Sequence, residues 1–150
     1  MKYFLGVLSC ILILAGIWFF GRQEQPQVQT RPTATINGYV LELEIVRTPE
    51  EQARGLSGRE SLAENTGMFF VYESSLTPGF WMKDMNFPLD IIWIDANKKI
   101  VDITENLAPE TFPQVFFPRA PVQYVLEVNA GWAESHNVSP LDAVMLNIGE

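Results

Sequence analysis

Thiols and imidazoles are almost missing from this chain. Its one cysteine, Cys10, lies inside a hydrophobic N-terminal run, so the remainder carries none. A disulfide framework, a thiolate zinc site and a cysteine nucleophile are therefore excluded from the rest of the chain. His136 is the one histidine, so no His-rich metal site can be built, and nothing beside it suggests a His-Ser-Asp arrangement. There is no phosphate loop, no dinucleotide fingerprint and no calcium loop of the helix-loop-helix kind. No metal, no cofactor and no catalytic residue is assigned on these grounds. Basic residues are scarce as well. The formal charge is −8, and beyond Glu24 seventeen acidic residues face eight basic ones. No basic stripe offsets that balance, so the domain repels phosphate backbones and nucleic acid is not expected as a partner.

Apolar residues, in contrast, are plentiful. They make up 47% of the chain, and aromatics 12%, well above a disordered composition, so a packed core is expected. The 150 residues leave room for one domain and a non-globular segment before it. Residues 3–21 form an uncharged run close to the roughly 20 needed to span a bilayer as a helix. Two readings compete, an anchor and a cleaved signal peptide. Trp18-Phe19-Phe20 stands where a small-x-small cleavage site would be, which favours the uncleaved anchor. The expectation is a single-pass protein of the inner (cytoplasmic) membrane, with its globular domain extracytoplasmic. Residues 22–33 hold one aliphatic residue among prolines and glutamines, a solvated tether. Residues 34–150 form the globular domain.

Within that domain, Asn37-Gly38 ahead of Tyr39-Val-Leu-Glu-Leu-Glu-Ile-Val predicts a hairpin with a type I′ turn. Leu41, Leu43 and Ile45 alternate with Glu42 and Glu44, so one face of that strand is buried and the other wet. Thr48-Pro49-Glu50-Glu51 reads as an N-cap, a proline at the first helical position and acids in the first turn. A short helix to about Arg54 follows, ended by Gly55. Residues 67–72 are a strand of nearly continuous apolar character, buried on both faces or nearly so. A turn at 74–79 leads to strands at 80–83 and 89–94, read as a hairpin around Asp84 to Pro88. Further strands are expected at 99–104, 123–129 and 143–148, with one or two helical turns at 130–136. The four prolines between Leu107 and Pro121 exclude regular structure there. The fold class is mostly β with a minor α part: a small closed or partly open β-barrel or sandwich with one or two short helices. An N-terminal transmembrane helix would precede it.

Strand alternation gives the candidate site. If 80–83 pairs with 89–94 without a bulge, Lys83 faces Asp90 and Trp81 faces Ile92, all on one side. Phe80, Met82, Ile91 and Trp93 take the other side, the natural core. Lys83 and Asp90 then form either a cross-strand ion pair, stabilising by about 0–1 kcal/mol, or the polar half of a ligand site with Trp81 as its platform. Arg54, after the short helix, is a candidate anion contact. Asp90, Asp95, Asp102 and Glu127 are the acids from which a two-carboxylate hydrolase would be built. Glu127, alternating away from Tyr124, is expected to be partly exposed, and His136 to lie at the surface or a helix end.

Several motifs occur in a fixed order: Arg54-Gly-Leu, Arg59-Glu-Ser-Leu, Gly67-Met-Phe-Phe-Val, Phe80-Trp-Met-Lys, Pro88-Leu-Asp, Ile94-Asp and Tyr124-Val-Leu-Glu with Gly131. Over roughly residues 35–148 the chain resembles domain of unknown function family 192. The resemblance implies a compact, mostly β, barrel-like domain of a kind often exported in bacteria. It implies no activity. Members commonly read Met-Lys-Asn-Thr where this chain has Met82-Lys-Asp-Met, and many have a cysteine pair near the 107–121 loop that this chain lacks. No redox or disulfide role carries over.

The leading expectation is a membrane-tethered extracytoplasmic binding or accessory domain. It would recognise a small ligand, glycan or peptide through Trp81, Lys83, Asp90 and Arg54. A carboxylate-dependent hydrolase acting on envelope polymers is the first alternative, and a docking subunit of a membrane complex the second. The expected partners are the membrane, through residues 3–21, and an unidentified small ligand or envelope component.

Overall fold

The structure, a computed structural model, describes residues 31–149. The expected anchor at 3–21 and most of the tether lie outside the described residues. Among the described residues no helix is long and apolar enough to cross a membrane.

Strands β1 (Thr33–Ile36) and β2 (Tyr39–Val46) form the predicted hairpin, with Ile36 opposite Tyr39. Asn37 and Gly38 have φ of 51° and 86°, the double left-handed step of a type I′ turn. Helix α1 (Pro49–Arg54) starts at a capping box. The Thr48 hydroxyl accepts from the Glu51 N–H at 3.3 Å, and the Glu51 carboxylate accepts from the Thr48 N–H at 3.0 Å. These bonds hold the Glu51 carboxyl below its ordinary range.

Helix α1 carries the chain across so that β3 (Thr66–Leu76) runs parallel to β2. Then come β4 (Leu89–Ile94), β5 (Ile100–Leu107), a single 3-10 turn at Pro109–Thr111, β6 (Val122–Asn129), helix α2 (Trp132–Ser135) and β7 (Val144–Asn147). The spatial order is β5-β4-β6-β3-β2-β1-β7, and every pairing except β2–β3 is antiparallel. The sheet curls into a half-barrel. Its two outer strands approach at one end, where Lys99 and Ala143 form a bridge and the Ile100 N–H donates to the Asp142 carbonyl at 3.0 Å. The domain is mostly β with two short helices, as the strand spacing predicts.

Each face of the sheet has its own core. Ile36, Leu41, Phe69, Ile92, Ile94, Leu126 and Val128 pack on one side, joined by Trp132 and Ala133 of α2. Met68, Phe70, Ile91, Trp93 and Val125 pack on the other, covered by Leu56, Phe80 and Met82. Strand β4 is buried along its entire length, and β3 is buried from Gly67 to Phe70.

The predicted 80–83/89–94 hairpin does not form. Strand β4 is bonded on one side to β5 and on the other to β6, so no edge remains for a third partner. Phe80 instead bridges Phe116, with N–H···O bonds of 2.9 and 2.8 Å. Residues 81–88 turn across the second face, and Asp84 adopts a left-handed φ of 55°. The connection after α1 ties this segment down: the Ser57 hydroxyl donates to the Lys83 carbonyl at 2.9 Å, and the Gly58 N–H to the Asp84 carbonyl at 2.8 Å. The turn expected at 74–79 begins later than predicted, because β3 continues to Leu76.

Candidate functional site

Two crossing segments cover the second face and leave a cleft between them. One is the end of α1 with Gly55, Leu56 and Ser57; the other is Gly79-Phe80-Trp81 together with Met85. Phe70 and Tyr72 of β3 wall the space, Glu127 of β6 lies at its base, and it encloses about 110 Å³.

Glu127 stands where an apolar residue would be expected. In the sheet it is opposite Met68 on one side and Ile91 on the other, both buried in the second core. Its side chain points to the face that carries Val125, and the residue is 6% exposed. The predicted partly exposed carboxylate is thus corrected to a buried one, because two irregular segments cap this face. The Glu127 Oε2 atom is buried and has no hydrogen-bond partner. Burial pushes the carboxyl up to about 8, with the Arg59 charge opposing. The Arg59 guanidinium itself is held by Glu44 at 2.5 Å, which raises its own pKa further. Near neutral pH the base of the cleft is therefore a neutral carboxylic acid able to donate a hydrogen bond. Tyr72 follows the same physics: burial, then the nearby Glu127 charge, pushes its hydroxyl up to about 12.

At the rim, Trp81 is fixed by its neighbour. Phe80 turns inward, edge-on to Phe70 at 4.9 Å and to Trp93 at 5.3 Å. Alternation then sends the Trp81 side chain outward, 52% exposed. Arg54 ends α1 at the opposite lip, also exposed. Gly55 makes the turn inward with φ 49° and ψ −134°, a conformation that essentially only glycine adopts. A Cβ there would lie 4.0 Å from Glu127 Oε2, so the backbone passes directly by the acid.

Of the four residues singled out in the sequence, the structure brings Trp81 and Arg54 to this cleft. Lys83 is exposed and forms no ion pair with Asp90 among the described residues. Asp90 is fully buried on the first face, where its oxygens accept from the Asn106 N–H at 2.8 Å and the Ala133 N–H at 3.0 Å. Two backbone donors, one of them in α2, occupy the carboxylate that was expected to meet the lysine. The shared face with Trp81 is corrected accordingly. Asp102 pairs with Arg119 at 3.0 Å, and Asp95 caps its own turn by accepting from the Asn97 and Lys99 N–H groups. Glu127 and Tyr72 are the cleft residues that alternation did not select. One signal was available: Glu127 is the only charged residue in Val122–Val128. His136 is half-buried against the Trp132 ring, with its Nδ1 2.7 Å from the Trp132 carbonyl oxygen.

Fold and cleft together define a class: a small curled-sheet domain with one buried, unpartnered acid at the base of an aromatic-walled pocket. Within it, the chain belongs to the family DUF192, described as an uncharacterized ACR, whose profile matches residues 32–146. Two solved structures are similar. One, described as a candidate transcription regulator from Sinorhizobium meliloti 1021, is 31% identical with a TM-score of 0.71, over 80% of this chain and 97% of that one. The other, a protein of unknown function from Novosphingobium aromaticivorans DSM 12444, is 31% identical with a TM-score of 0.71, over 81% of this chain and 89% of that one. No match is found among curated proteins.

Proposed function

We propose that this chain is a membrane-tethered extracytoplasmic binding domain that takes a small ligand, glycan or peptide into the cleft above Glu127. The observation that carries this reading is the Glu127 carboxyl, buried among apolar side chains with Oε2 unpartnered. Leaving such a group unsatisfied costs about 1–3 kcal/mol. A ligand that completes it recovers that loss, and the exposed Trp81 indole beside it supplies a flat surface for stacking. The uncharged run at 3–21 supports the tether and the extracytoplasmic placement.

A thermal-shift screen of the full chain against sugars, peptidoglycan fragments, peptides and metals tests the binding role. A ligand at 100 times its Kd adds about 2.7 kcal/mol, and Trp81→Ala is expected to abolish that gain. No shift from any class of compound would overturn the reading. For the tether, protease added outside spheroplasts is expected to digest the globular domain; full protection would place it on the wrong side.

Hydrolysis of envelope polymers draws less support. A two-carboxylate mechanism places its acids about 5–9.5 Å apart in one cleft, and among the described residues lining this one Glu127 is the only acid. The docking role has a specific observation behind it. Val115 and Phe117 are exposed large apolar residues packed close over Gly79. Co-purification with a larger membrane assembly, lost in Phe117→Ser, would favour that reading.

A further inference from the structure

Taking the cleft as a ligand site, we infer that the ligand group it receives is an organic ammonium, held by the Glu127 carboxylate and the surrounding aromatic rings. Three observations lead there. The buried Oε2 of Glu127 has no donor, and once that carboxyl gives up its proton in apolar surroundings it demands a cation at short range. Phe70, Tyr72, Phe80 and Trp81 supply the walls, and aromatic faces attract ammonium groups, most strongly when water is excluded. The net charge of −8 draws cations toward the domain and repels anions.

The charged and titratable groups around Glu127 leave this role open. Strand β3 contributes Tyr72, whose hydroxyl stays protonated, and β4 contributes the uncharged Ile91. Arg59 is committed to Glu44 of β2. Arg54 of α1 is an exposed cation at the lip. It would meet an anionic group on the outer end of the ligand, as in an amino acid or a peptide terminus. Burial keeps the Glu127 carboxyl protonated near neutral pH, so binding is an exchange. The neutral acid and the ammonium give a carboxylate–ammonium pair, and one proton leaves to the buffer. Affinity then rises about tenfold per pH unit below 8 and levels off above it.

Calorimetry on the full chain with n-butylammonium, tetramethylammonium and n-butanol tests this. Both cations are expected to bind, n-butanol not, with close to one proton released at pH 7 as judged from buffers of different ionisation enthalpy. Glu127→Gln keeps the shape of the side chain and should cost at least tenfold in affinity and remove the pH dependence. Trp81→Ala, at an exposed position that cannot unfold the domain by leaving a cavity, should weaken tetramethylammonium more than n-butylammonium. If the cations fail while a neutral sugar binds and Trp81→Ala removes it, the cleft remains a ligand site and the ammonium inference falls. If cations bind without proton release or regardless of Glu127→Gln, the inference also falls. If no compound binds in the cleft at all, both readings fall together.

Discussion

Between pH 4.5 and 8 the Glu127 carboxyl holds a proton in the folded chain that it loses in the unfolded one. The folded pKa lies above the unfolded value. Stability is therefore complete below about 4.5 and declines as pH rises through 8. Each unit of displacement is worth about 1.4 kcal/mol, so the loss between pH 5 and pH 9 is of order 4 kcal/mol. Glu127→Gln should flatten that dependence in urea denaturation at the two pH values, and an unchanged slope would show that the acid ionises freely. The buried Asp90 carboxylate accepts from two backbone N–H groups. Asp90→Ala is expected to cost about 2–3 kcal/mol, since the buried Ala133 N–H is left without an acceptor. These two acids also show what alternation can and cannot tell. It finds the face a side chain takes in a strand, and it put Glu127 correctly opposite to Leu126 and Val128. It does not say what covers that face. The exposed Trp81 and Arg54 needed only local signals, an indole next to an inward Phe80 and a helix-ending arginine, and both reach the cleft.

Helix α1 and its two caps were readable because each is specified within a few residues. Thr48→Ala removes the hydroxyl that accepts from Glu51 and should cost about 1 kcal/mol. Gly55→Ala meets no severe overlap, with Phe70 Cζ 3.6 Å from the added atom. It forces a side chain into a conformation that costs about 1–3 kcal/mol. Both variants should lower the urea midpoint. Only Gly55→Ala should also impair ligand binding, because it alone shifts the backbone beside Oε2; equal effects on binding would separate the cleft from α1. The 80–94 segment failed as a hairpin for the opposite reason. Phe80-Trp-Met-Lys has the composition of a strand, but its partner depends on which edges of β4 are free, and β5 and β6 lie later in the sequence. Long-range competition for an edge leaves no local mark.

Charge acts over the full length of the domain, and it bears on which partners the domain attracts. Contact with phosphate backbones has a recognisable salt signature. Proteins that make such contacts release counterions, so their affinity climbs steeply as salt is lowered. This chain carries a net −8, and its three ion pairs among the described residues already engage Arg31, Arg59 and Arg119. Lowering the salt should strengthen repulsion here instead of attraction. A mobility-shift titration with duplex DNA at 150 mM and at 20 mM salt is expected to show no complex at either. A complex that tightens at 20 mM would mean that Arg54, Lys83 and the other uncommitted cations form a phosphate-facing surface despite the acidic total. The cleft would then have to be re-read as an anion site with Arg54 at its centre. The same low-salt condition should speed capture of n-butylammonium, because a negative domain steers a cation toward it. Opposite salt responses toward the two probes would follow from one charge distribution.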